Sequence, residues 1–318
     1  MLAVIEISAW HWAGFIGCIL LFLALDLGVF HRRAHDVGFK EALLWTTVWF
    51  GVAMSFGVLV APAIMDDWQS QQRVEFITGY VIELSLSMDN VFVIAIIFTH
   101  FSVINRYQHR VLFWGILGAL VMRGTLIWLG VELIQRFAWL LIVLGIFLIF
   151  SGLRIIFTHD KPPNLEKNLA LRLTRWFFPV TTTIEGQKFL LKIDGRTMLT
   201  PLALVLVLVE TTDLIFALDS IPAIFAVTQD SFIIFTSNVF AILGLRSLYF
   251  VLAGAIQYFR YLKTGLSIVL VFIGVKMITP HKVHIPTMTS LVIVVFIITL
   301  SIIASVVVGR REKRQKER

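Results

Sequence analysis

Apolar runs of close to twenty residues recur from one end of this chain to the other, and they constrain its fold more than any other feature. In lipid every backbone N–H and C=O must be satisfied within the spanning structure, so such runs become helices, each needing about 20 mostly apolar residues to cross the hydrocarbon core. That ruler gives about nine spans, near residues 10–30, 41–61, 76–99, 110–131, 137–157, 200–226, 232–256, 262–279 and 288–308. Composition agrees: 58% of residues are hydrophobic and 15% charged, too few charges to cover a water-soluble surface. The expected fold is all-α, a polytopic membrane protein whose residues 1–318 form a single transmembrane domain. The flank of the first span, Met1 to Ala9, carries Glu6 and no Lys or Arg, unlike a cleaved secretory signal, so that span is kept as structure.

The charges between spans set the orientation. Lys and Arg gather in alternate loops: Arg32, Arg33 and Lys40; Arg106 and Arg110; residues 158–198; Arg260 and Lys263; and the tail 309–318. The intervening loops hold Asp66 and Asp67, Glu132, or Gln229 and Asp230. Basic loops stay in the cytoplasm, so the expectation is an N-terminus outside and a C-terminus cytoplasmic, in a bacterial inner membrane. The net charge of +7 is thereby accounted for, with the lipid bilayer as partner and no nucleic acid. The tail reads as a stop-transfer segment close to anionic headgroups. The single cysteine, Cys18, excludes an internal disulfide and a multi-thiolate metal site.

The loop 158–198 contains Lys161, Pro162 and Pro163, and its Leu165, Leu169, Leu173 and Trp176 suit a short amphipathic helix, on the inner membrane face or on the protein's own cytosolic side. It separates two similar stretches, a first half at 76–157 and a second at 200–279, followed by the span 288–308. Glu83 is followed six residues later by Asp89 and Asn90, and Asp213 by Asp219 and Ser220. In each half the next span carries Ile-Leu-Gly, at 116–118 and 242–244, and then an arginine, Arg123 or Arg246. The loop charges give the two units opposite orientations, an inverted repeat with its site expected near mid-membrane.

Six acids fall inside these spans: Asp26, Glu83, Asp89, Glu210, Asp213 and Asp219. A charge at the bilayer centre costs about 2.5–3.5 kcal/mol on the gentler scale. Arg123 and Arg246 are the available charge partners, and by depth Glu83 pairs with Arg123 and Asp213 with Arg246. Two arginines cannot balance six carboxylates, so the remainder must be protonated, hydrated or bound to a cation. At 100° per residue Asp89 lies about 120° away from the face of Glu83, and Asp219 likewise from that of Asp213. Bringing these four onto one ion therefore requires interrupted helices. Pro222 cannot donate to the Leu218 carbonyl, and Ser85 and Ser87 compete for backbone bonds, so breaks are expected there. Carboxylates with Asn90, Ser220, Asn238 and the Leu218 carbonyl form an all-oxygen set, which suits Mg, Ca or Mn. Histidines 31, 35, 100, 109, 159, 281 and 284 fall in loops or at span ends, with His11 at the start of the first span, so a deep zinc or copper centre is disfavoured. No Gly-x-Ser-x-Gly, His-Glu-x-x-His or P-loop pattern occurs, so no enzyme is expected and uphill transport would be driven by an ion gradient, most naturally protons.

The residues also resemble a known family. ELSLSMDNVF from Glu83, TPLALVLVLVETTDLIFALDSIPAIF from Thr200 and TSNVFAILGLRSLYF from Thr236 are similar to the TerC family of integral membrane proteins, most closely its Alx branch. The likeness extends from the first span to the eighth. It implies export of manganese from the cytoplasm, with Mn2+ as transported substrate and no organic cofactor. It further implies metal-handling roles for Glu83, Asp89, Glu210, Asp213 and Asp219, with Asn90, Ser220 and Asn238 beside them. Two other expectations stay open: a proton or other cation exchanger for which manganese is incidental, and a non-transporting membrane partner that loads metal into, or helps insert, other membrane proteins.

Overall fold

A computed structural model describes residues 7–25, 38–157, 168–181, 186–193, 195–253, 261–279 and 285–316. These form α1 (Ala9–Leu25), α2 (Phe39–Ser55), a π-helical turn (Phe56–Val60), α3 (Ala61–Ile64), α4 (Ser70–His100), α5 (Asn105–Arg136), α6 (Leu140–Phe157), α7 (Leu169–Phe177), a hairpin of β1 (Leu190–Ile193) and β2 (Arg196–Leu199), α8 (Pro201–Phe225), α9 (Ser231–Ala253), α10 (Leu262–Ile278) and α11 (Thr287–Lys316). Among the described residues seven helices are long and apolar enough to cross a membrane: Phe39–Ile64, Ser70–His100, Asn105–Arg136, Leu140–Phe157, Pro201–Phe225, Ser231–Leu252 and Thr287–Gly309. Ala9–Ala24 is a shorter apolar helix and an eighth candidate. The count is thus seven to eight where nine are expected. Helix α10, with 17 residues, is about 25 Å long at 1.5 Å per residue, short of a full hydrocarbon core.

The ends of the helices follow local chemistry. The Gln69 N–H donates to the Gln72 side chain 3.2 Å away at the start of α4. Thr200 caps α8, accepting from the Ala203 N–H at 3.3 Å, and Pro201 occupies the first turn, where its missing N–H costs nothing. The expected helix breaks are absent. Ser85 donates to the Val81 carbonyl and Ser87 to the Glu83 carboxylate, while α4 stays α-helical throughout. Pro222 lies inside α8, and the helix continues through it to Phe225 although the Leu218 carbonyl loses its usual N–H donor there.

The long loop holds more structure than a single helix. Asn168 caps α7 through the N–H groups of Ala170 and Leu171. Leu171 is buried among Val205, Leu208 and Val209, whereas Leu169, Leu173 and Trp176 are exposed. The predicted run is therefore on the outward face of α7; Leu165 lies outside the described residues. The hairpin turns at Gly195, whose φ of 77° favours glycine.

Most of α4 and α9 is buried, with α2, α6 and α11 peripheral. Helix α8 runs antiparallel to α4: Ile224 near its end lies against Gly79, and its early Leu202 and Val205 share a core with Ile97 and Phe98. It runs parallel to α5, with Val209 at Gly115 and Phe225 at Gly130. Helices α6 and α10 pack backbone to backbone. A Cβ on Gly145 would fall 3.0 Å from the Gly274 carbonyl oxygen, and one on Gly152 would fall 2.7 Å from that of Ser267. Small residues let spanning helices approach closely where no hydrophobic force drives them together. Gly152→Ala is accordingly expected to destabilise the protein by about 1–3 kcal/mol, because backbone cannot move aside. Gly51→Ala, which meets nothing within 4 Å, is the control; thermal unfolding in detergent should separate the two.

Candidate functional site

Arg123 of α5 enters the space between α4, α8 and α9 and is 1% exposed. Its Nε donates to Asp213 Oδ2 at 3.0 Å and its Nη2 to Asp213 Oδ1 at 2.7 Å, a two-pronged grip. Its Nη1 donates to the Glu83 carboxylate and reaches Ser220 Oγ at 3.5 Å and Asn238 Oδ1 at 3.4 Å. The guanidinium is thus shared by an acid from each half of the chain. Arg246 does not take Asp213. It is on the face of α9 turned to α2, lining a small pocket with Trp45, Trp49 and His109. The reason is packing: α8, which carries Asp213, lies against α5 and brings Arg123 to it.

Several polar atoms in this region have no hydrogen-bond partner. Glu83 Oε2, Asn90 Oδ1 and Asn238 Nδ2 are buried and unpaired. Each such atom costs about 1–3 kcal/mol. Glu210, three residues before Asp213, lies with its carboxylate against Gly118 of α5, where a Cβ would collide with it. Formally, Glu83, Asp213 and Glu210 against Arg123 leave a charge of −2 in this part of the core.

Asp89 and Asp219 are not part of the Arg123 cluster. They line one cleft together with Asn90, Ser220 and Lys263. Ser151 hydrogen-bonds Asp219, with Arg154 nearby, both from α6. Because α4 and α8 are antiparallel, with Gly79 opposite Ile224, Glu83 lies near the depth of Asp219 and Ser220, and Asp89 and Asn90 lie near that of Asp213. Arg123 reaches an acid at each depth, and Ser220 both touches Arg123 and lines the cleft. Both helices stay unbroken, and the four carboxylates do not meet at one point. Leu218 is half-exposed, and its carbonyl is the one that Pro222 leaves without an N–H donor. Asp26 lies outside the described residues. No group of three or more His, Cys, Asp or Glu side chains among the described residues is gathered as a ready metal site.

A further polar group escapes the sequence ruler. Glu75 is 5% exposed, accepts from Gln71 Nε2 at 2.9 Å and lines an open cavity with Thr228, Gln229 and Lys276. The predicted span beginning at residue 76 excludes it by one position. The early polar turns of α4, Gln71 to Glu75, are the signal that the helix extends further.

Residues 68–314 match the integral membrane protein TerC family. Over 299 residues the chain is 49% identical to an "Uncharacterized membrane protein STKORF319" of Myxococcus xanthus, covering 94% of this chain and 92% of that one. Over 314 residues it is 42% identical to the "Putative membrane-bound redox modulator Alx" of Escherichia coli (strain K12), covering 96% and 97%. An "Uncharacterized membrane protein" of Rickettsia bellii is 39% identical over 296 residues. No solved structure matches the chain.

Removing one partner from a buried ion network costs about 3–5 kcal/mol, because it strands the opposite charge. Arg123→Met should lose stability on that scale. The triple variant Glu83→Gln, Asp213→Asn, Arg123→Met should recover most of the loss. Chemical denaturation in detergent measures both, and equal losses in the two proteins would show that Arg123 is not the local charge balance.

Proposed function

The chain belongs to the TerC family of integral membrane proteins, and from that premise we propose that it exports a divalent metal ion, most closely Mn2+, from the cytoplasm. The observation that carries this reading is the excess of buried oxygen donors over buried cations: Glu83 and Asp213 share one arginine, and Glu83 Oε2 and Asn90 Oδ1 remain unpaired. Carboxylate, amide and hydroxyl oxygens favour hard divalent ions, Mn2+ among them. The cleft at Asp89 and Asp219 is the entry from the cytosolic side, beside Lys263 at the start of α10. The cavity at Glu75 and Lys276 is the exit. Carboxylates that hold protons between cycles supply the coupling to a proton gradient. The orientation is N-terminus outside and C-terminus cytoplasmic.

The proposal takes the two halves as an inverted repeat, and a local likeness supports it. Residues 144–157 align with 266–279, pairing Leu148 with Leu270, Phe150 with Phe272, Gly152 with Gly274 and Arg154 with Lys276. Under that alignment Gly145 corresponds to Ser267. The contact of Gly145 with Gly274 then exchanges with that of Ser267 with Gly152, and both contacts occur. Such a twofold relation places a transport site where the halves meet. The redox description belongs to the relatives that carry it. This chain has one cysteine, Cys18, and hence no dithiol pair within it.

Purified protein in liposomes loaded with Mn2+ should release the ion in a protein-dependent way. Asp89→Asn and Asp219→Asn, checked for folding by gel filtration, should slow release at least tenfold. Export at the unmodified rate by both variants would sink the assigned path. Proton flux without manganese would favour the exchanger, and absence of any flux the non-transporting partner.

A further inference from the structure

We infer that the Arg123 guanidinium sits in the place of the transported cation, so that binding of the metal and the ion pairs of Arg123 exclude one another. The inference rests on the export reading and deepens it by naming what holds the site between cargoes. Five oxygens converge on this one group: one from Glu83, both from Asp213, Ser220 Oγ and Asn238 Oδ1. They come from α4, α8 and α9, and all are of the kind a hard divalent ion takes. Two more acceptors close the argument. Glu83 Oε2 and Asn90 Oδ1 are buried without partners, in side chains that are 0% and 3% exposed.

A guanidinium is flat and presents its N–H groups in one plane, so it does not satisfy acceptors arranged around it in three dimensions. A spherical ion draws oxygens from every direction. Its double charge also balances Glu83 and Asp213 together, where one arginine balances only one of them. The displaced guanidinium has a destination on its own side of the core. Glu210 packs on Gly118, five residues before Arg123 on the same helix. The arginine thus leaves one acid pair for another acid when cargo enters, and returns when cargo leaves. It spares the empty protein from exposing two bare carboxylates to lipid depth.

The test is Mn2+ binding to the full chain in nanodiscs of phosphatidylethanolamine and phosphatidylglycerol, read from loss of the free Mn2+ paramagnetic resonance signal. Arg123→Gln removes the competing charge and should bind Mn2+ at least tenfold more tightly than the unmodified protein. Mn2+ should also raise its melting temperature by more. In loaded liposomes the same variant should lose net efflux while keeping exchange of Mn2+ for Mn2+, since only the empty return needs the arginine. Arg123→Lys, which keeps the charge but not the fork, should fall between the two, and it answers the question alone if Arg123→Gln does not fold. If the unmodified protein binds and exports Mn2+ and neither variant binds more tightly, the inference is overturned and the export reading stands. If no protein binds Mn2+, the export reading fails and takes the inference with it.

Discussion

A guanidinium taken out of water to a position 1% exposed is tolerable only with its counter-charges and acceptors already in place, since the desolvation of such an ion amounts to several kcal/mol. Arg123 meets that condition through Glu83 on α4 and Asp213 on α8, with Ser220 and Asn238 at the edge. The interaction therefore joins four helices, and it joins the first half of the chain to the second. The positions of α4, α5, α8 and α9 relative to one another depend on it, because any shift that separated the carboxylates from the arginine would strand a charge in a medium that does not solvate it.

The packing around this centre is correspondingly close. Between α6 and α10, glycines put backbone against backbone, and at Gly79 the side chain of Ser237 approaches to 2.9 Å of where a Cβ would be. At Gly118 the missing side chain makes the space in which Glu210 lies. Small residues here do two jobs that the lipid environment imposes. They replace a hydrophobic driving force by close van der Waals contact, and they open room for polar groups that must stay inside.

What the sequence discloses follows from which forces act locally. The bilayer imposes a length and a polarity on each span, so the apolar part of Ser70–His100, near 76–99, and nearly all of Pro201–Phe225 are legible from apolar runs. Their acids are legible as costly exceptions. The partner of Asp213 is not legible, because it depends on which face of α8 meets α5, a tertiary choice that leaves no trace in depth or spacing. The same holds for the division of the acids between the Arg123 cluster and the cleft. The angular offset of Asp89 from Glu83 is readable, and it calls for a broken helix only if all four carboxylates must meet one point. Pro222 has a strong local preference against the helix interior, yet α8 continues through it to Phe225 within the packed core. The hairpin Leu190–Ile193 with Arg196–Leu199 is too short for its alternation to stand out in a basic loop.

The continuity of α4 and α8 has a mechanical meaning. They are unbroken antiparallel helices, in contact from Gly79 with Ile224 at one end to Ile97 and Phe98 with Leu202 and Val205 at the other, and residues 86–90 of one and 216–220 of the other help to line the polar cleft. A tilt of one such rod on the other that spreads their ends on one side of the membrane draws them together on the other. With no break in either, an opening at one face and a closure at the opposite face are the same movement.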